Sequence, residues 1–328
     1  MNQKIKTLLF FLRRASMDVV SPNRFFVSEA YKPHDVGLNK KIPYQLDYTT
    51  QGMVKYYSLG VDDEGIVMMS HYVDHDGTDT HYYSPVKIAH YALGAYNDYL
   101  KDSNVENLHK FHSHLNWLVN NSSKESFGRV WRVPSTNPKY ELEMNYISAI
   151  SQGLVLSVLA RGFVECSDTK LLEVGEEALK SLTVSVENGG LLASTRWGPS
   201  FEEYPCLPYS HVMNGFVFCL TGLDDFHRLT GSVEAKRLFD LGLKTFRNMT
   251  SVWFDGSWAR YDLRDLYTKD IPNLATRHYQ YLHADQMLGM YCITEDLFYL
   301  ELYRKFLRQV RNPIGFIRAY WSKLRKFV

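Results

Sequence analysis

From Ser84 onward the chain alternates long amphipathic segments in pairs, and that pairing restricts the fold more than any other feature. Residues 85–100 pair with 105–118, 146–165 with 169–184, 211–229 with 233–249, and 277–294 with 296–310. Apolar positions recur at helical spacing within each segment, and the first members begin roughly every 60 to 70 residues, as stacked helical hairpins require. A mainly α fold of about four hairpins is expected. Each first member carries one polar residue inside its apolar run, namely His90, Gln152, Asn214 and Gln286. In an inner ring these four could line a central cleft; bonding to neighbouring helices inside a packed core is the competing reading.

Strand signals fill the gaps between hairpins. Residues 191–197 follow an Asn-Gly-Gly turn, and SVWFDGSWARYDL places Asp255 and Gly256 between two aromatic-rich runs, with Tyr261 on the second. Before Ser84, residues 55–59, 65–70 and 80–83 read as short strands. Residues 1–83 are therefore read as an arm and small β-rich region, and residues 84–328 as a helical domain ending in a basic tail.

With 45% apolar and 22% charged residues the chain can bury a large core, and a net charge of +1 gives no reason to expect nucleic acid. Four cysteines without CxxC spacing argue against zinc or a disulfide framework. No run approaches the roughly 18 apolar residues of a membrane span. The early TLLFFL run, although flanked by Lys and Arg, lacks a cleavage site. Neither a signal peptide nor a transmembrane helix is expected, and the chain reads as cytoplasmic.

The stretch FEEYPCLPYSHVMNG sets Glu202, Glu203 and Tyr204 before a proline and then enters an apolar run. Pro205 disfavours helical geometry at Tyr204, so the acids are expected on a loop and the helix near Ser210 as N-cap. Glu202 reads as a solvated or structural neighbour of Glu203.

FEEYP, HVMNGF, ARYDLRD and IPNLATRHYQYLH occur in that order, preceded by YSPVKIAHYAL and NYISAISQG. Together they resemble the C-terminal helical domain of the heparosan-type D-glucuronyl C5-epimerases over roughly residues 83–286. The resemblance implies an (α/α) barrel or toroid preceded by β structure, acting as a homodimer on an anionic, heparosan-like uronate polysaccharide. It singles out Glu203, Tyr204, Tyr261 and Tyr279 as catalytic: Glu203 and Tyr279 as opposed acid and base, Tyr261 assisting and Tyr204 fixing the ring. It matches Asn214, Arg264 and the 273–282 loop, with Asn273 at its start, to substrate-contacting positions. Gln280 and Phe218 depart from its usual histidine and tyrosine.

The chemistry suits those residue types. Inverting the carbon beside a uronate carboxylate needs one group to remove a proton and another to deliver one to the opposite face, without a cofactor. A phenol donates at neutral pH and becomes a base where cations lower its pKa. A turn after Asp262 would let Arg264 fork the uronate carboxylate. Arg196 and Trp197 could cradle an acidic sugar by charge and stacking, and Gln152 and His283 complete the expected contacts.

DHDGTD lacks the order of an EF-hand and reads first as a turn. The resemblance implies calcium between the β region and the helical domain, so Asp74, Asp76 and Asp79 stand as candidate ligands. The tail after Glu301 carries eight cations and no acid. Pro313 and Gly315 are expected to break it into two helices, the second bearing an apolar face of Phe316, Ile317, Tyr320, Trp321, Leu324 and Phe327. That face either packs on the barrel or meets an anionic membrane. A uronate lyase, which shares the first step, and a noncatalytic glycan-binding protein are the alternatives in function.

Overall fold

Four long helices begin at Pro85, Ala149, Met213 and Arg277, so that each start lies 64 residues beyond the last, and each helix has 18 residues. The computed structural model describes residues 27–28, 31–32, 38, 40–57, 59–73, 79–254 and 256–325. Its helices are α1 (Thr50–Tyr57), α2 (Pro85–Asp102), α3 (Val105–Asn120), α4 (Ala149–Cys166), α5 (Thr169–Leu179), α6 (Met213–Thr230), α7 (Val233–Trp253), α8 (Arg277–Thr294), α9 (Leu297–Val310) and α10 (Pro313–Leu324).

The repeat extends to the helix ends. Each inner helix stops at a left-handed residue, Ser103, Ser167, Gly231 or Glu295. The residue after it, Asn104, Asp168, Ser232 or Asp296, caps the following outer helix by accepting a backbone N–H from Glu106, Lys170, Ala235 or Phe298. A left-handed stop followed at once by a polar cap satisfies groups on both helix ends and reverses the chain in two residues.

Helices α2, α4, α6 and α8 pack successively side by side, α4 against α6 most extensively, and α3, α5, α7 and α9 each back their own partner. The α4–α6 contact depends on glycine: a Cβ on Gly153 would lie 2.5 Å from the Cys219 Cα, and one on Gly222 1.9 Å from the Gly153 carbonyl oxygen. The result is a mainly helical (α/α) barrel. Three small antiparallel sheets attach to it: β1 (Leu59–Val61), β2 (Val67–Val73) and β3 (Asp79–Tyr82) in that order, β4 (Ser123–Glu125) with β5 (Gly128–Val130), and β6 (Leu192–Thr195) with β7 (Gly198–Phe201).

One end of the inner ring is closed by residues 42–46. The thirteenth residues of the four inner helices are Asn97, Arg161, Asp225 and Gly289. Asn97 accepts the Tyr44 N–H at 2.6 Å and donates to the carbonyls of Tyr44 and Leu46. Arg161 donates to the carbonyls of Ile42 and Pro43 and pairs with Asp225 at 2.7 Å. Gly289 leaves room for the Gln45 side chain, whose amide nitrogen donates to Thr221 Oγ1.

Several expectations need correction. Helix α6 begins at Met213 with Val212 as N-cap, because the Ser210 hydroxyl is engaged elsewhere, on Glu202. The run expected as the first strand of SVWFDGSWARYDL is the last turn of α7, where Trp253 is buried and its indole donates to the His211 carbonyl at 3.0 Å. Among the described residues, isolated bridges alone, Phe254 to Ala259 and Arg260 to Leu274, follow it. Asp255, Asp74, Asp76, Phe327 and TLLFFL lie outside the described residues, and Asp79 opens β3. Among the described residues one helix, α4, is long and apolar enough to cross a membrane, and it is largely buried in the barrel.

Candidate active site

The first turns of all four inner helices open onto one cavity of about 280 Å³. Val86, Lys87 and His90 line it from α2, Ile150 from α4, Asn214 and Phe218 from α6, and His278, Tyr279 and Leu282 from α8. Tyr48, Tyr57 and Tyr82 line it from the N-terminal region, and Tyr146, Glu203 and Tyr204 from loops between hairpins. Helix N-termini carry partial positive charge, so this end of the barrel favours an anion even before Lys87 is counted.

Two adjacent carboxylates meet opposite fates at this end. Glu202 is fully buried, and its Oε2 accepts from the Ser210 N–H and hydroxyl and the His211 N–H, while His211 Nδ1 lies 2.6 Å from Oε1. Burial alone would raise its pKa, but His211 and Ser210 hold it below its ordinary value, so it is an anchored anion rather than a solvated one. Glu203 is also buried, yet there burial wins: its pKa rises to about 7 despite the neighbouring Tyr204 hydroxyl and the nearby charges of Lys139 and Lys87. Asn214 Nδ2 lies 3.3 Å from Glu203 Oε2. Gly215 is required there, since a Cβ would come within 2.2 Å of that oxygen.

The tyrosines form a connected set. Tyr204 lies beside both Glu203 and Tyr261, and the Tyr261 ring meets Tyr279 edge-on at 4.7 Å. Burial pushes the Tyr204 and Tyr261 phenols well above their ordinary value. Both keep their protons at neutral pH, so neither stands as a phenolate base. Tyr279 lines the cavity at the start of α8, where the Thr276 hydroxyl caps its N–H.

A second layer supports this set. Tyr140 stacks on Tyr204 at 4.3 Å and donates to Asp262 Oδ2 at 2.6 Å, where Asn273 and Lys139 also donate. Burial would raise the Asp262 pKa, but Lys139 and these donors hold it low. Asn273, expected to touch substrate, instead fixes Asp262. Lys139, Tyr140, Lys87, His278, Tyr146, Tyr48 and Tyr57 escaped the sequence reading. Lys87 and His278 were detectable as basic residues in the first turns of two inner helices, whereas Lys139 and Tyr140 stand in a loop without periodicity.

Other expected contacts are not brought to the cavity. Arg264 pairs with Glu141 at 2.5 Å and donates to the Lys139 carbonyl, bracing the loop rather than facing the site. Gln152 donates to the carbonyls of Arg129 and Ala178 and to the Ser181 hydroxyl, and Gln286 donates to the Asn214 carbonyl. His283 is buried behind Tyr279 against Phe306. Arg196 stacks on Trp197 at the β6–β7 turn, and neither lines the cavity. His90 and Asn214 are thus the two interior polar residues that do.

The fold is shared with a sugar epimerase from a ruminal bacterium, with a TM-score of 0.55 at 12% identity over 80% of this chain and 67% of that one. In sequence, the D-glucuronyl C5-epimerase of Caenorhabditis elegans is 31% identical over 192 residues, 54% of this chain and 31% of the nematode protein. An uncharacterised protein of Methanocaldococcus jannaschii is 30% identical over 184 residues, 54% of this chain and 56% of the archaeal protein. The chain thus matches less than two thirds of either relative's length. The D-glucuronyl C5-epimerase C-terminus family model matches residues 120–308, more than half of the chain and the part that carries Glu203, Tyr204, Tyr261 and Tyr279, and the protein belongs to that family.

Proposed function

We propose that this protein is a carbohydrate epimerase that inverts C5 of D-glucuronate residues to L-iduronate in a heparosan-like polymer. The observation that carries this reading is Glu203, a buried carboxylate with a pKa of about 7 lining the same cavity as Tyr279. The ionised Glu203 removes the C5 proton, and the electron pair of the broken C–H bond delocalises into the uronate carboxylate. Lys87, which lines the cavity, and the helix N-termini stabilise that developing charge. Tyr279 then gives its hydroxyl proton to C5 from the other face, and the cycle closes when the proton on Glu203 returns to the Tyr279 phenolate, relayed through Tyr204 and Tyr261, each accepting one proton as it gives up another. Both protons move through side chains, so we propose no organic cofactor. Heparosan incubated in heavy water tests the reading: proton NMR should show deuterium at C5 together with iduronate. An ultraviolet-absorbing unsaturated end without inversion would make the protein a lyase.

Homodimerisation is proposed on the resemblance and is checked by sedimentation. We also propose that α10 rests on an anionic membrane at the cytoplasmic face. Phe316 and Tyr320 pack against Trp258 and Leu274, which leaves Ile314, Ile317 and Trp321 exposed at helical spacing, with Arg311, Arg318 and Arg325 beside them. An apolar stripe with an interfacial tryptophan and flanking arginines complements acidic headgroups. Cosedimentation with anionic but not neutral liposomes is expected.

A further inference from the structure

Among the cavity residues that the proposed proton transfers do not use, His90 stands out. His90, in the second turn of α2, is 3% exposed, and neither ring nitrogen has a hydrogen-bond partner among the described residues. Its ring lies 4.6 Å from Tyr48 and 5.3 Å, edge-on, from Phe218, so aromatic walls hold it without satisfying it. The repeat shows that no packing rule demands a histidine here. The corresponding residues of the other inner helices, at 64-residue intervals, are Leu154, Phe218 and Leu282, all apolar. A buried polar group left unpaired costs stability that a leucine would not. Asn214 Oδ1, lining the same cavity, is likewise buried without a partner.

We propose that His90 is a substrate contact that hydrogen-bonds a hydroxyl of the sugar ring and so selects which uronate configuration the cavity accepts. This rests on the reading that the cavity holds a uronate residue. Burial, then Lys87, keeps the imidazole pKa well below its ordinary value, so the ring is neutral and offers one N–H and one lone pair. A hydroxyl, which both donates and accepts, matches that pair. A carboxylate, which only accepts, is better met by Lys87 and the helix N-termini. A site built to bond a hydroxyl also rejects a sugar that places the hydroxyl elsewhere, because the site's polar group is then left unpaired.

The test compares wild type, His90→Leu and His90→Gln for binding of a heparosan hexasaccharide by calorimetry, for KM in C5 deuterium exchange, and for Tm without ligand. His90→Leu should raise Kd and KM about tenfold or more while its Tm stays level or rises, and His90→Gln should recover most of the affinity. An unchanged Kd in His90→Leu overturns the proposal, as does a fall in Tm that His90→Gln does not repair, which would make His90 a packing residue. Binding by wild type without any C5 exchange would overturn the epimerase reading alone, and the ratio of dissociation constants would still decide His90. Failure of wild type to bind overturns both.

Discussion

The two ends of the inner ring are built from the same repeat but differ in the charge they bury: a hydrogen-bonded ion pair at one, and a carboxylate of raised pKa at the other. At the closed end, Arg161 and Asp225 are 1% exposed, pair with each other, and Arg161 spends its remaining donors on the carbonyls of Ser157, Ile42 and Pro43. At the open end, Glu203 is buried with its pKa driven to about 7, and His90 and Asn214 carry unpartnered polar atoms. Desolvation acts at both ends. At the closed end the buried Arg161–Asp225 pair is offset by partners within the chain, although Tyr44 Oη, Gln45 Oε1 and Ser157 Oγ there also lack partners among the described residues, and at the open end the unpartnered groups line the cavity. The Arg161–Asp225 pair ties the closed end together, whereas Glu203, His90 and Asn214 line the cavity at the other.

The sharpest way to break this contrast is Arg161→Met. It leaves Asp225 buried and unpaired and releases residues 42–43, so equilibrium unfolding should show a loss of about 3–5 kcal/mol. A loss below about 1 kcal/mol would mean that the closed end does not anchor the fold. Tyr279→Phe should do the reverse, cutting C5 exchange about a hundredfold or more, equivalent to about 2.7 kcal/mol, with an unchanged melting transition. Near-normal exchange in that variant removes Tyr279 from the mechanism.

Glu203→Gln sharpens the comparison further, because it should abolish exchange and yet stabilise the protein. The carboxyl pKa goes from its ordinary 4.5 to about 7 in the folded state. Between those values the folded protein binds the proton more tightly than the unfolded chain, so wild-type stability falls as pH rises through that window. At pH 8 the full cost, up to about 3 kcal/mol, is present in wild type and absent in the variant; at pH 4 the difference should vanish. Wild-type exchange should rise with pH through about 7, as Glu203 becomes a base. A variant no more stable than wild type at pH 8 would show that Glu203 is not strained. The smallest expected effect lies outside the ring: Trp321→Ser should weaken binding to anionic liposomes severalfold while leaving exchange on short oligosaccharides intact. Equal binding by both proteins would assign Trp321 no membrane role.

The helical pairs were legible because amphipathic spacing is a local signal. The acids after β7 were legible as a loop because Pro205 acts on its immediate neighbour. What escaped is nonlocal. Gln152 and Asn214 look alike in sequence, each a polar residue in an apolar helix. Three of the four partners that occupy Gln152 are backbone groups, which leave no mark in the sequence. Arg264 was expected at the site from its place in YDLR, but the loop carrying Lys139 and Glu141 crosses to it and captures its guanidinium. The same loop brings Tyr140 onto Tyr204, a contact 64 residues away in sequence.

The central claim is that Glu203 and Tyr279 move a proton off and onto C5 of a uronate within this cavity. It is tested most directly by incubating wild-type protein, Glu203→Gln and Tyr279→Phe with heparosan in heavy water, following proton NMR at C5 and ultraviolet absorbance together. The account predicts deuterium at C5 with iduronate in wild type, a hundredfold or greater loss in both variants, and no absorbance from unsaturated ends. Solvent deuterium entering at an undiminished rate in either variant, or unsaturated product without inversion in wild type, would contradict it.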